Sequence, residues 1–202
     1  MKSIHPNLFV MFSRAERHKV ADYFELSVVG EQYANTLGQL TDLLSEYALE
    51  KGDYGQNTVV CPILRAGLSM SNRLMKRLPM AEIAKISMKR NLKTLEPYVE
   101  WDELNKINNI GSKKLIITDP AIATGGSILK TLEIARRCGF KNENIVIMAM
   151  FGGPMGLKKL ASKYPDIKIY LTHMADGMRK DGYLLPYNGD TGDRLYGVRE
   201  KD

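Results

Sequence analysis

The sequence lacks a hydrophobic run long enough to cross a membrane. No stretch approaches the roughly 20 apolar residues that a transmembrane helix needs. Near the N-terminus, only the five residues from Leu8 to Phe12 are free of charge and strong polarity. Such a stretch is too short for the apolar core of a signal peptide. We therefore expect neither membrane association nor export.

Cysteine is also scarce. The 202 residues include only Cys61 and Cys138, which lie far apart and form no CxxC pair. Neither a disulfide framework nor a zinc site is indicated. The three histidines stand alone, without the spacing of a metal-binding motif. These absences predict a protein of a reducing compartment, the cytoplasm.

Clusters of basic residues are missing, although the formal net charge is +6. No run of five or more lysines and arginines forms the kind of tail that binds nucleic acid. A basic balance favours anionic ligands, and phosphorylated metabolites account for it as well as RNA does. Hydrophobic residues make up 44% of the chain and charged residues 26%, which is typical of globular proteins.

Short apolar runs alternate with helical patterns along the chain. After a helix predicted from Glu31 to Lys51, the runs are Thr58–Leu64, Ile83–Met88, Leu115–Thr118, Asn144–Met150 and Ile167–Thr172. Continuous apolar strands with helices between them are typical of a parallel sheet covered on both faces. We predict an α/β fold: an open, mostly parallel sheet in a single domain spanning 1–202. Its parts are a helical N-terminal region (1–58), a core (59–181) and a C-terminal loop and tail (182–202).

The most informative motif is LIITDPAIATGGS, from Leu115 to Ser127. A buried strand ends in the carboxylate of Asp119, and a Thr-Gly-Gly-Ser turn then begins a helix. Glycines let the backbone approach a ligand closely, and the free amides at a helix start bind phosphate. The motif differs from GxxxxGK[ST] and GxGxxG, so it predicts neither a nucleoside triphosphatase nor a dinucleotide enzyme.

Two polar segments fit no core element. Asn91 to Asn109 is long enough to be a flap, since loops beyond about 12–15 residues are often functional. Gly182 to Gly197 holds four glycines and two aspartates. Ligands of open parallel sheets bind beyond the carboxyl ends of the strands, so we expect the site in the loops after Leu64, Met88, Thr118 and Met150. GGPMG at Gly152–Gly156 is expected to be a βα turn, with Pro154 in the first turn of the helix.

The Asp119 motif resembles the phosphoribosyl pyrophosphate (PRPP) loop of type I phosphoribosyltransferases. Three further stretches are similar to the uracil phosphoribosyltransferase branch: ILRAGL at Ile63–Leu68 to its pyrophosphate loop, KRNLKTLEP at Lys89–Pro97 to its flap, and Gly182–Gly197 to its uracil loop. The motifs run in family order from about Val59 to Gly197. The uracil loop departs from the family, because Tyr187, Asn188 and Thr191 stand where glycine, leucine and alanine are usual.

The resemblance implies an enzyme of pyrimidine salvage that converts uracil and PRPP to UMP and pyrophosphate. It also implies a homodimer or larger homo-oligomer, and Mg²⁺ held mainly through PRPP and water. The implied catalytic residues are Asp119, Arg65 and Arg90. All three are also implied to bind PRPP, together with Pro120, Ala121, Ile122, Ala123, Thr124, Gly125, Gly126, Ser127 and Asp190. The implied uracil-binding residues are Leu184, Gly189, Asp190 and Thr191.

The residue types suit this chemistry. Negative charge builds on the departing pyrophosphate, and an arginine fork at Arg65 or Arg90 can hold its oxygens. Positive charge builds on the ribose ring, which the carboxylate of Asp119 can offset while it binds ribose hydroxyls. Two alternatives stay open: the same fold acting on a different nucleobase, and a regulatory RNA-binding protein built on this fold.

Overall fold

A central sheet organises the chain, whose computed structural model describes residues 4–91 and 96–197. The strands are β1 (Leu8–Val10), β2 (Thr58–Leu64), β3 (Glu82–Ile83), β4 (Ile86–Arg90), β5 (Pro97–Asp102), β6 (Lys114–Thr118), β7 (Ala121–Ile122), β8 (Ile145–Gly152) and β9 (Lys168–Met174). They lie in the order β1-β9-β8-β6-β2-β4-β5, with β3 beside β2 and β7 beside β8. The pairings are parallel except that of β4 with β5. The predicted mostly parallel sheet is confirmed.

Helices cover both faces of the sheet. They are α1 (Ala21–Phe24), α2 (Gly30–Leu49), α3 (Gly67–Leu74), α4 (Gly126–Cys138), α5 (Pro154–Lys163) and α6 (Thr191–Tyr196). Leu132 of α4 and Leu157 of α5 belong to the core on one face. Leu40 of α2 and Met70 of α3 belong to the core on the other. Within residues 4–91 and 96–197, no helix is long and apolar enough to span a membrane.

The central strands are apolar at nearly every position because both of their faces are buried. In β6, Leu115 and Ile117 pack into one core and Ile116 into the other, and all three are 0% exposed. Complete burial of each such side chain contributes about 1.5–3 kcal/mol. This two-sided packing is the reason that short apolar runs in the sequence identified the strands.

The N-terminal region 1–58, expected to be helical, also contributes an edge strand. Leu8, within the short apolar stretch noted above, pairs in parallel with Ile169 of β9. A 3₁₀ helix at Arg14–Val20 follows. Three half-buried residues show too little alternation to predict a strand. The run Ile83–Met88, expected as one strand, is likewise divided between β3 and β4.

The structure corrects the prediction that Asn91–Asn109 is a polar flap outside the core, because much of this segment forms regular secondary structure. β5 pairs antiparallel with β4, and a 3₁₀ turn at Leu104–Lys106 follows. Leu104 is fully buried, and Val99 and Ile107 pack against the same core. The apolar residues that anchor the hairpin are interspersed among charged ones, which masks their pattern. Residues 92–95 of the predicted flap lie outside the described residues.

Candidate active site

Loops from three parts of the chain meet at the carboxyl edge of the sheet and enclose a cleft of about 600 Å³. The first follows β2, the second joins β6 to α4, and the third runs through the C-terminal loop. The cleft brings together most of the residues expected at the site: Arg65, Asp119, Pro120, Ala121, Ala123, Thr124, Gly126, Ser127, Leu184, Gly189, Asp190 and Thr191. Residues that are more than 120 positions apart in the sequence thus share one cleft.

The remaining expected residues have different positions. Ile122 and Gly125 line a smaller adjoining cavity of about 40 Å³, together with the Thr-Gly-Gly-Ser turn. Arg90 is the last residue of β4, and its side chain lies outside the described part of the structure. Lys89, beside it, lines the cleft and forms an ion pair with Glu100 at 2.9 Å.

The Thr-Gly-Gly-Ser turn contains the left-handed backbone conformation that favours glycine. Gly125 has φ +77° and caps α4, which begins at Gly126. The first N–H groups of a helix have no partner within the helix, so they are available to an anion. Before the turn, β7 adds two residues of parallel pairing with β8. The expected simple loop therefore contains a short strand, which fixes its path.

GGPMG is the expected βα turn, because β8 ends at Gly152 and α5 begins at Pro154, and it also supports this loop directly. Gly153 N donates to Ile122 O at 2.9 Å, and Gly156 N donates to Ala123 O at 3.1 Å. A Cβ at Gly156 would lie 2.7 Å from Ala123 O and 2.9 Å from Gly125 N. Only glycine fits between the two loops. A glycine-rich turn after a buried strand was the available signal for this role.

Asp119 and Arg65 follow neighbouring strands, because β6 pairs with β2. The Asp119 amide donates to Met148 O at 3.2 Å. Behind them, α3 begins against the end of β6: Thr118 Oγ1 donates to Gly67 O at 3.0 Å. A Cβ at Gly67 would overlap the Thr118 carbonyl oxygen. The two loops are therefore held close together by backbone contact.

Arg65 reaches from its own loop to the C-terminal loop. Its Nη2 donates to Asp193 Oδ1 at 2.5 Å, and its Nη1 donates to Gly197 O at 3.3 Å. The Asp190 carboxylate in turn accepts a hydrogen bond from Asp193 N at 3.0 Å and caps α6. The motif match contains Asp193, but only Arg65 and Asp190 were assigned a role, because nothing in the sequence pattern pairs residues 128 positions apart.

Arg194 fixes the C-terminal loop to the N-terminal region. It is 6% exposed, and its guanidinium lies 3.7 Å from the ring centre of Tyr33. It donates hydrogen bonds to the carbonyl oxygens of Tyr23, Glu25, Val28 and Asn188. The motif match contains Arg194, but no sequence signal indicated that three of its four partners lie in residues 23–28. The N-terminal region thus supports the site.

The three departures from the family's uracil loop occupy two environments. Tyr187 is half-buried and does not line the cleft; its ring packs edge-on to Tyr183 at 5.3 Å, and the Arg179 guanidinium is 4.4 Å from its ring centre. Asn188 and Thr191 are 3% and 8% exposed, and Thr191 Oγ1 accepts a 3.5 Å hydrogen bond from the Tyr33 hydroxyl. The hydroxyl of Thr191 is therefore directed at Tyr33, although Asn188 and Thr191 both also line the cleft.

Carboxylates outnumber cations along the described lining of the cleft. Asp119, Asp181, Asp190 and Asp193 line it, with Arg65 and Lys89 as the described cations. Burial raises the pKa of Tyr183, and the charges of Asp190, Asp193 and Asp181 raise it further. Among residues 4–91 and 96–197, no group of three or more His, Cys, Asp or Glu side chains could hold a metal ion by itself.

Several solved structures share this fold. The AQ2163 protein from Aquifex aeolicus matches with a TM-score of 0.84 and 26% identity, over 95% of this chain and 98% of that one. A purine phosphoribosyltransferase from Pyrococcus horikoshii matches at 0.52 and 17% identity, over 84% and 89%. A hypoxanthine-guanine phosphoribosyltransferase from Bacillus anthracis matches at 0.52 and 12% identity, over 72% and 80%. These last two likenesses show the fold alone.

A family model described as uracil phosphoribosyltransferase matches residues 28–198. The match includes the loops after β2 and β6, the GGPMG turn and the C-terminal loop. Family and fold together support a pentosyltransferase that takes PRPP and a nucleobase as substrates. The chain belongs to the uracil phosphoribosyltransferase family.

Proposed function

We propose that this protein transfers the 5-phosphoribosyl group of PRPP to uracil, giving UMP and pyrophosphate. The observation that carries the proposal is the single cleft in which Asp119, the Thr124–Ser127 turn, Arg65 and the Gly189–Asp190 loop meet. Phosphate, ribose, pyrophosphate and base can then all be bound within one substrate complex. Bringing reactants together in one orientation removes much of the entropic barrier of a two-substrate reaction.

Each group has a distinct task in this mechanism. The amides of the turn before α4 bind the 5-phosphate. Arg65 binds the pyrophosphate, whose negative charge grows as the bond to the anomeric carbon breaks. The Asp119 carboxylate binds the ribose hydroxyls and stabilises the positive charge of the ring. Its place at the end of a buried strand fixes it before the reaction, which is the source of electrostatic catalysis.

The described oxygen donors fit Mg²⁺, the ion that phosphoribosyltransferases generally use with PRPP. Carboxylate oxygens such as those of Asp119 and Asp190 are hard ligands of the kind Mg²⁺ takes, usually in small number and with water. When bound, the ion would neutralise phosphate charge and so allow a polyanion to enter a cleft rich in aspartate. The protein's own contribution is to present one or two carboxylates while PRPP supplies further oxygens.

Base selection is assigned to the backbone of residues 184–191. Gly189 has φ +72°, a conformation that favours glycine and keeps side-chain atoms away from the neighbouring peptide groups. Leu184 is 2% exposed and lies in β11 (Leu184–Leu185), which pairs with β10 (Gly177–Met178). Thr191 is turned towards Tyr33, which supports a loop that still recognises uracil through peptide groups.

A panel of nucleobases tests the proposal. Uracil, 5-fluorouracil, cytosine, hypoxanthine and guanine should be assayed with PRPP and Mg²⁺ under one set of conditions. Uracil and 5-fluorouracil should be used, and cytosine should fail because its amino group meets a backbone donor. An unpaired buried polar group costs about 1–3 kcal/mol. A preferred purine would overturn the uracil assignment in favour of a different base on the same fold.

The polar side chains of Asn188 and Thr191 are the observation that favours this alternative base. The RNA-binding alternative gains no support from a cleft whose described lining holds more aspartates than cations. The homo-oligomeric state and the cytoplasmic location stay predictions from the resemblance and the composition.

A further inference from the structure

We infer that Asp193 is a positioning residue for Arg65, and that it holds the guanidinium where the pyrophosphate of PRPP binds. The inference rests on the proposed function and adds to it a residue outside the expected site. It starts from the 2.5 Å contact of Arg65 Nη2 with Asp193 Oδ1.

Among the described residues, it is the C-terminal loop that holds the guanidinium, through two hydrogen bonds. Asp193 Oδ1 and Gly197 O accept one hydrogen bond each, whereas a guanidinium has five N–H donors. A Cβ at Gly192 would lie 3.3 Å from Nη2 and 3.5 Å from Nε, so the C-terminal loop also packs closely against the group. Arg65 still lines the cleft, with donors left for an anion.

The main effect of Asp193 is to fix the position of the Arg65 guanidinium, because the ion pair itself adds little stability. The Arg65 and Asp193 side chains are 27% and 33% exposed, and ion pairs this accessible contribute little to stability. A free arginine side chain has many rotamers, and ordering it when the ligand binds costs affinity. Asp193 removes that cost before PRPP arrives. Through the Asp190 cap of α6, the same contact also joins the pyrophosphate loop to the base loop.

Arg73 and Asp42 provide a matched control. They form another arginine–aspartate ion pair, with side chains 36% and 34% exposed, between α3 and α2. Neither residue lines the cleft. Asp42→Ala therefore removes an ion pair of the same type and exposure without touching the site.

Calorimetry with magnesium pyrophosphate as the probe tests the inference without requiring turnover. Asp193→Ala should weaken pyrophosphate binding roughly tenfold, the scale of part of one charge-assisted hydrogen bond. Asp193→Asn keeps an acceptor oxygen and should restore most of the affinity. Arg65→Ala should lose on the order of 10²-fold, and adding Asp193→Ala to it should cost nothing more. Asp42→Ala should bind as the wild type does.

Steady-state kinetics separate positioning from a structural role. Asp193→Ala should raise the KM for PRPP about tenfold with less than a twofold change in the KM for the base, and the unfolding temperature should be unchanged. Equal or tighter pyrophosphate binding by Asp193→Ala, or additive losses in the double variant, would overturn the inference. If the wild type binds pyrophosphate but uses no base, the proposed function fails while the positioning result still stands. If the wild type binds neither pyrophosphate nor PRPP, both proposals fail.

Discussion

Replacing His173 with glutamine should reduce the loss of folding stability that occurs as the pH falls. His173 ends the buried part of β9 and is 2% exposed. Its ring stacks on Phe151, with centroids 4.6 Å apart, and lies edge-on to Phe24 and Tyr23. Nδ1 lies 3.0 Å from Thr172 Oγ1, and Nε2 is buried with no hydrogen-bond partner in the described structure.

These surroundings disfavour the protonated ring. Burial and, to a smaller extent, the charge of Arg17 lower the pKa of His173 from 6.5 to about 4, while the charge of Asp176 opposes the shift. A lowered pKa means that the unfolded chain binds the proton first, so stability is complete above about pH 7 and is lost as the pH falls towards 4. At 1.36 kcal/mol per pKa unit, the full loss is about 3 kcal/mol, of which about 2 kcal/mol is expected by pH 5.

Urea unfolding at pH 7.5, 6 and 5 measures this effect. Each variant is compared with its own stability at pH 7.5, so any fixed cost of the substitution cancels. Between pH 7.5 and 5, His173→Gln should lose about 2 kcal/mol less than the wild type. The lowered pKa of the buried His5 affects both proteins alike. The exposed His18 provides the control, since His18→Gln should follow the wild type. Parallel pH profiles for His173→Gln and the wild type would refute the reasoning.

Three other substitutions test the site. Asp119→Asn should lower turnover roughly 10²-fold, the scale of one preorganised charge, and a variant within threefold of wild type would remove Asp119 from its role. Gly156→Ala should raise the KM for PRPP about tenfold because its Cβ meets Gly125 N, at the 1–3 kcal/mol scale of overpacking. Gly55→Ala, with nothing within 4 Å of its Cβ, should leave that KM unchanged. Arg194→Met should lower the free energy of unfolding by about 3 kcal/mol, because it leaves buried carbonyl oxygens unpaired; a loss below 0.5 kcal/mol in urea unfolding would contradict this.

The sequence predicted those parts of the fold that two-sided burial determines. β2 begins at Thr58 and ends at Leu64 as expected, and α4 begins at Gly126, within the turn that was expected to begin a helix. β1 was missed because three half-buried residues carry no pattern. The hairpin of β4 and β5 was missed because its inward residues, such as Leu104, are separated by charged ones. A local sequence pattern therefore predicts a strand only where most of its consecutive residues are apolar and buried.

The residues of the candidate site likewise divide into those that the sequence predicted and those that it did not. Asp119 and the glycine turn were recognisable because consecutive residues create them. The contact of Asp193 with Arg65, and that of Gly156 with the phosphate loop, join residues distant in sequence. Such contacts depend on the path of the chain, which a single sequence does not reveal. Arg194 shows this clearly, since its four carbonyl partners are backbone atoms that carry no signature of residue type.

The backbone contact of Gly67 with Thr118 has a consequence for how such an enzyme can be altered. The distance between the loops that carry Arg65 and Asp119 is determined by the contact of their main-chain atoms. This distance therefore does not depend on the side chains that line the cleft. Substitutions within residues 184–191 can therefore change which base is accepted without altering this backbone contact. Redesign of the base preference should target residues 184–191 and keep position 67 as glycine, since any Cβ there would force the two loops apart.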